Sequence, residues 1–400
     1  MATSVYEVVV GVDFGTCSST FAYSHKSNSL SDIVTNDIWP QQGQRGVFKT
    51  NTILFYNSQT WNVVGWGSSA ITRQEKKKKK KTDNNGLPTG EPPTLSVSLF
   101  KLFLGNAREQ DKPILPQGLS YRQCVIDYLA EMTKLIKTTI ATRWPGINFY
   151  KNVLIVLTVP ADFSERAKAI MRDCAFKAGL LQFADSPNLE FTTEPEAAAI
   201  HCITSLRQLG LKSGANFMIV DCGVRQVKQT FSKYVPIIEV PSQPITAVVR
   251  GAVQYGLNMR TIQTRVLRYT YGVQVLKKWK KGDDPRRKTH NGLKFCFHEL
   301  AKRGTEVKVN QTFGYVAKPS SLNQIDMTFN IYATTNFDAK YCDDPNTKHL
   351  GTLKIDLPDI QLGSKRLVEF YLTFGTMEIK ATAKNKNSGL VYQTTLNLDF

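Results

Sequence analysis

VGVDFGTCSST, residues 10–20, begins as an apolar strand, meets an aspartate and a glycine, and ends in a run of small polar side chains. Such a stretch reads as a β-strand entering a tight turn with an acid at its lip. Backbone amides freed by Gly15, with the side chains of Thr16, Cys17 and Ser18 beside them, can cradle a phosphate. A carboxylate such as Asp13 can hold a hydrated magnesium ion nearby. By itself the pattern serves an ordinary β turn equally well, so its meaning depends on its neighbours.

The neighbours alternate strand and helix. VYEVVVGVDFG, NTILFYN and WNVVGWG read as strands, the last two joined by a polar turn at Ser58, Gln59 and Thr60. Behind Ser120, Val125, Leu129, Met132, Leu135, Ile136 and Ile140 fall three or four apart, which predicts a long amphipathic helix with a serine N-cap. Strand KNVLIVLTVP follows, then a helix from Ser164 to a glycine stop at Gly179, strand LEFTTEP and helix EAAAIHCITSLRQLG. FMIVDCGVRQV, residues 217–227, reads as a buried strand running into a second turn. This order predicts an α/β domain to about residue 260.

Beyond it the pattern changes to alternating stretches: TEVKVNQTF, DMTFNIYATT, LGTLKIDL, LVEFYLTFG, MEIKATAKN and VYQTTLNLDF, separated by Gly, Asn, Asp or Pro. An antiparallel β domain, sandwich or barrel, is expected there. A length of 400 residues suits about two to three domains of this kind.

TVPADFSERAKAIMRDCAFKAGL and TTEPEAAAI, in order behind DFGT, resemble the heat shock protein 70 family, DnaK-like chaperones on the actin-like ATPase fold. FTTEPEAAAI, LTVPADFSERAKAIMR and TFGTMEIKATAKN most resemble its divergent twelve-type branch. The resemblance implies ATP or ADP with Mg2+ as cofactors, held between two ribonuclease H-like lobes. It gives Asp13 the part of a magnesium-water ligand, Gly15 to Ser18 the first phosphate loop, and Glu194 the acid that orders metal and attacking water. Lys101 in SLFKLFLG is matched to the lysine that stabilises the transferring phosphoryl group, with an exposed structural lysine as the alternative.

For the second phosphate loop the family uses a strand, then Asp, a small residue, three glycines and Thr. This chain offers Asp221, Cys222 and Gly223 and then VRQVKQTFSKY, whose helical spacing resembles the helix after the adenosine-binding glycines. Pro244 to Gly256 resembles the second connecting helix, so only about twenty residues stand where the family places a whole subdomain. The expectation is a truncated second lobe, a metal held through water by Asp13 and Asp221, weak nucleotide binding and little or no turnover. The expected division is 1–200 for the first lobe, with a Lys-rich loop at 74–95, 201–262 for the second-lobe remnant, and 263–400 for a β domain like the family's peptide-binding domain. The family's helical lid has no counterpart before Phe400.

The formal charge is +18, but six lysines form the single run Lys76–Lys81 in a polar stretch, which reads as a solvated loop. No RNA-recognition, KH or zinc-finger signature accompanies it, so a nucleic-acid partner is not expected. Seven cysteines without CxxC spacing indicate neither a disulfide framework nor a zinc ribbon, and the His201–Cys202 and Cys296–His298 pairs read as packing. The N-terminus lacks the basic start of a secretory signal, and no segment reaches about 18 uninterrupted apolar residues. A cytoplasmic chain without membrane association is expected, with the lysine run as a nuclear-import alternative. Peptide clients and cochaperones are the partners the resemblance implies. The rival readings are a non-catalytic adaptor or degenerate pseudo-ATPase binding partners through the β domain, and a sugar kinase of the actin-like group.

Overall fold

The computed structural model describes residues 6–29, 32–40, 46–68, 71, 94–208, 210–212, 214–220, 238, 240–241 and 243–395. The chain divides into two units, Met1–Thr261 and Ile262–Phe400.

The first unit is built on β1 (Val8–Phe14), buried along its whole length because both faces are covered. β2 (Ser18–His25) returns antiparallel to it, with Asp13 opposite Thr20. Beyond β2 lie two short strands, β3 (Val34–Thr35) and β4 (Thr50–Asn51), each paired with it. β5 (Ile53–Asn57), β6 (Val63–Trp66) and β7 (Thr94–Ser98) form a separate antiparallel sheet with β5 in the middle. α1 (Tyr121–Arg143) starts at Ser120, whose hydroxyl accepts from the Gln123 N–H at 3.1 Å.

β8 (Val153–Val159) then adds parallel to β1, and β9 (Leu189–Thr193) parallel to β8. α2 (Glu165–Lys177) joins them, capped by Ser164 and released at Gly179, where a φ of +73° suits a residue without Cβ. The order β3-β2-β1-β8-β9, with β2 alone running against the other strands, is a mixed sheet of the ribonuclease H-like order.

α3 (Glu194–Gln208) follows β9 directly, and α4 (Pro244–Leu257) comes back to the same sheet. Small residues make that return close. A Cβ on Gly251 would lie 1.8 Å from the Ala197 carbonyl oxygen on α3, and one on Gly256 would lie 2.5 Å from a Val9 methyl. The Tyr6 hydroxyl donates to the Gly256 carbonyl at 2.9 Å, closing a loop of 250 residues, and Arg250 donates to the Ile33 carbonyl at 2.8 Å. Within the expected remnant 201–262, α4 is thus packed on the first-lobe sheet.

The reading of 217–220 as a buried strand is corrected. Phe217, Met218 and Val220 stand exposed, Met218 at 80%, in no ladder among the described residues. An apolar run becomes a strand only when a neighbour completes its hydrogen bonds. Asp221, Cys222, Gly223 and the VRQVKQTFSKY helix lie outside the described residues, as do Lys76–Lys81.

In the second unit β11 (Thr270–Lys278), β12 (Leu293–Ala301), β15 (Asp326–Thr334) and β16 (Thr347–Asp356) form one antiparallel sheet in the order β12-β11-β15-β16. β14 (Gln311–Ala317), β17 (Val368–Phe374), β18 (Lys380–Asn385) and β19 (Val391–Thr395) form another in chain order. Short strands β10 (Thr264–Val266) and β13 (Glu306–Lys308) pair separately. Alternate residues of β15 and β17 are buried in one apolar core fed by both larger sheets, and Phe329 stacks on Phe370 with ring centroids 4.5 Å apart. At its margin Arg366 is fully buried, its guanidinium donating to the carbonyls of Gly363, Gln324, Leu357, Ser321 and Leu322. TEVKVNQTF is two strands rather than one, broken at Asn310 with φ +63°.

Candidate functional site

Three neighbouring strands end together. β1 delivers Asp13, β8 delivers Thr158, and β9 passes straight into Glu194. The carboxyl ends of adjacent strands are where open α/β sheets place ligands.

Asp13 is buried, and both its oxygens are engaged. Oδ1 accepts from the Thr158 hydroxyl at 3.1 Å, and Oδ2 from the Lys49 ammonium at 2.8 Å. Glu194 is fixed by its helix start. Thr193 caps α3, its hydroxyl accepting from the Glu196 N–H at 3.1 Å, and the Glu196 carboxylate reaches back to the Thr193 N–H at 3.5 Å, which is a capping box. Glu194 Oε1 meets Lys101 Nζ at 3.0 Å. That lysine side chain is 3% exposed and the carboxylate 22%, so the pair sits at a boundary between core and solvent. The lysine also lies 5.6 Å from the Phe14 ring centroid.

The turn after Asp13 folds back tightly. A Cβ at Gly15 would fall 2.2 Å from the Ser18 carbonyl oxygen, so any other residue would have to open the turn. Thr52 holds it from outside. Its hydroxyl donates to the Gly15 carbonyl at 2.8 Å and lies 2.7 Å from the Ser19 hydroxyl, and its N–H donates to the Cys17 carbonyl at 2.8 Å. Cys17 is exposed at the tip, and Thr16 and Ser18 are half-buried. Burial pushes the thiols of Cys124 and Cys174 up to about 11 and about 12, leaving them poor nucleophiles beside the accessible Cys17.

Of the expected site residues the structure therefore brings Asp13 together with the Gly15–Ser18 turn, and Glu194 together with Lys101. Asp221 and Gly223 lie outside the described residues. Lys49, Thr52 and Thr158 were not foreseen. Thr158 follows from the strand-end rule once β8 is placed beside β1. A lysine and a threonine around a two-residue strand carry no periodic signal.

Among the described residues, no set of side chains is assembled to coordinate a divalent ion directly. No three His, Cys, Asp or Glu side chains among the described residues come together to hold one, and Asp13 already accepts from two donors. The group presents two lysines, each paired with one of the two acids, beside a glycine turn of the kind that can cradle an anion.

The glycine turn and the two acids thus stand together at the strand ends of one α/β lobe. The chain is similar to the twelve-type heat shock 70 kDa proteins. It is 29% identical over 154 residues to heat shock 70 kDa protein 12A of Homo sapiens, and equally to that of Mus musculus, covering 36% of this chain and 23% of each relative. Heat shock 70 kDa protein 12B of Homo sapiens is 25% identical over 159 residues with the same coverage. The match thus spans under a quarter of the relatives' length. MreB 5 of Spiroplasma citri bound to AMPPNP aligns over 98% of this chain and 71% of that one, at 10% identity and a TM-score of 0.25. No protein-family model matches the chain. Among the described residues no helix is long and apolar enough to cross a membrane.

Proposed function

We propose that the chain is an ATP-binding, chaperone-like protein of the heat shock 70 kind with a weakened nucleotide site and little or no turnover. In this reading its second unit is a peptide-binding β-sandwich. The observation that carries the nucleotide part is the convergence of Asp13, the Gly15–Ser18 turn and the Lys101–Glu194 pair at the ends of β1, β8 and β9. The similarity to the twelve-type proteins supports the chaperone part.

In this reading the amides and hydroxyls of Gly15–Ser18 hold phosphate oxygens, and Lys49 and Lys101 supply the positive charge facing them. Bound ATP supplies the phosphoryl group, and magnesium enters only as its complex with the nucleotide. Asp13 accepts hydrogen bonds on both oxygens and orients the turn, while Glu194 keeps the Lys101 ammonium aimed at the strand ends. Weak binding follows from one-sidedness: affinity in a two-lobed site comes from both walls. The tail of the second loop departs from the family pattern after Gly223.

The test is calorimetric titration of the chain with MgATP beside an Asp13→Ala variant, with alkylation of Cys17 followed by mass spectrometry. The expected result is a dissociation constant above about 10 µM, lost in the variant, with saturating ATP slowing Cys17 labelling. Tighter binding would refute the weakened site. Absence of both heat and protection would refute nucleotide binding.

A further inference from the structure

The hairpin joining β11 to β12 carries a charge pattern that neither the nucleotide site nor the fold uses. Residues 277–294 hold eight lysines and arginines against two aspartates. Three of the cations are already paired with carboxylates: Lys294 with Asp283 at 2.5 Å, Arg286 with Asp284 at 2.8 Å, and Arg287 with Asp343 at 2.9 Å. Trp279 of the hairpin and Tyr341 beside it are covered by the chain's own cations. Lys288 lies 4.9 Å from the centre of Trp279, and Arg287 lies 3.6 Å from that of Tyr341. Lys277, Lys278, Lys280 and Lys281 are exposed, and none closes a salt bridge among the described residues.

Directly inboard, β11 and β12 present a cross-strand apolar pair. Leu276 stands opposite Phe295, and the two remain 44% and 50% exposed. In the next register position on the same face, Lys278 stands opposite Leu293. One apolar rung bordered by ammonium groups is complementary to an apolar side chain bordered by acids.

We propose that this face selects extended peptides in which an apolar residue is flanked by aspartate or glutamate. The proposal rests on the reading of the second unit as a peptide-binding domain and specifies its client class. Carboxylates fit better than phosphates for reasons the hairpin itself shows. Every partner its paired cations take is an aspartate. The arginines, whose planar fork suits phosphate and base edges, are already tied up. Two of the rings that could stack on bases, Trp279 and Tyr341, carry cations over them. The apolar rung has room for a side chain and no use on a sugar-phosphate backbone.

The experiment measures fluorescence anisotropy of three labelled peptides sharing one leucine-centred core, flanked by glutamate, glutamine or lysine. It uses the 400-residue chain with Lys76–Lys81 all changed to glutamine, so that this second basic run contributes nothing. The glutamate peptide is expected to bind about tenfold tighter than the glutamine peptide, as three rim ion pairs would give. That advantage should vanish in K278Q/K280Q/K281Q and shrink as salt is raised. Leu276→Ser should weaken the glutamate and glutamine peptides by a similar factor without changing their order. Equal or tighter binding of the lysine peptide would overturn the acidic selectivity while leaving peptide binding intact. Binding of no peptide would remove both. An undiminished preference in the triple-glutamine variant, or lysine-dependent binding of duplex RNA or phosphatidylserine vesicles with no peptide preference, would also overturn the proposal. Thermal melts of each variant, expected to match the parent because the changed side chains are exposed, keep misfolding from passing as loss of binding.

Discussion

Replacing Gly251 by alanine should loosen the first unit where α4 crosses α3. The added Cβ would stand 1.8 Å from the Ala197 carbonyl oxygen and 2.5 Å from its carbonyl carbon. Both neighbours are backbone, so no rotamer change makes room. The helices must separate by about 1.2 Å to restore even a 3.0 Å contact, and gaps of that size forfeit about a quarter to a half of each dispersion contact at the crossing. Overpacking a close core costs about 1–3 kcal/mol, and a clash with backbone belongs at the upper end. Alanine returns about 1 kcal/mol of helix propensity. The net loss is about 2 kcal/mol, or about 4–8 °C in the melting temperature of a unit this size. Urea unfolding followed by tryptophan fluorescence reads it well, since Trp39, Trp61, Trp66 and Trp144 report on the first unit and only Trp279 on the second. Gly146→Ala is the control, because a Cβ there meets nothing within 4 Å. If Gly251→Ala falls within about 0.5 kcal/mol of the parent, as the control should, the close crossing does not exist.

Other outcomes follow from the same geometry. Glu194→Ala should cost about 2–3 kcal/mol by leaving the buried Lys101 ammonium unpaired, whereas Lys101→Met should be nearly neutral; denaturant midpoints of the two variants check the asymmetry. Arg366→Ala should cost about 3 kcal/mol or more in the second unit, since five carbonyls lose the guanidinium at once, and a lysine there should rescue little; thermal melts measure it. Burial first, and then the Arg250 charge, hold His201 below the ordinary imidazole value, and burial does the same for His298 and His349. Because the unfolded imidazoles take up protons first, their stabilising share is complete above pH about 6.5 and is lost as pH falls below it. Denaturant midpoints at several pH values down to about 5 should decline accordingly, and His201→Gln should flatten the decline in the first unit.

The strands and helices most legible in the sequence were those whose burial is decided locally. Val8–Phe14 and Val153–Val159 are apolar runs interrupted only by Gly11, Asp13 and Thr158, and α1 and α2 announce themselves through serine caps. β17 alternates as its residues predict. β11 and β12 escaped because Lys277, Lys278 and Lys294 interrupt the apolar alternation, and Gly272 weakens the strand signal. Phe217–Val220 was misread because hydrophobicity shows which residues seek burial, not whether a partner strand exists. The strand-end placement of Asp13, Gly15 and Glu194 was legible because each stands in a recognisable phrase. Lys49 and Thr52 act through pairing across 36 and 37 residues, to Asp13 and to Gly15 respectively, which leaves no local imprint.

The Tyr6–Gly256 hydrogen bond and the seat of α4 on β1 also set a timetable. β1 is covered by a helix that lies more than two hundred residues later in the chain, so its apolar face waits through the synthesis of that stretch. Contacts this distant in sequence make for slow closure and prolonged exposure. The face that α4 covers is therefore expected to stay open until Leu257 emerges, whereas the second unit, contiguous from Ile262, draws its core from its own stretch of chain.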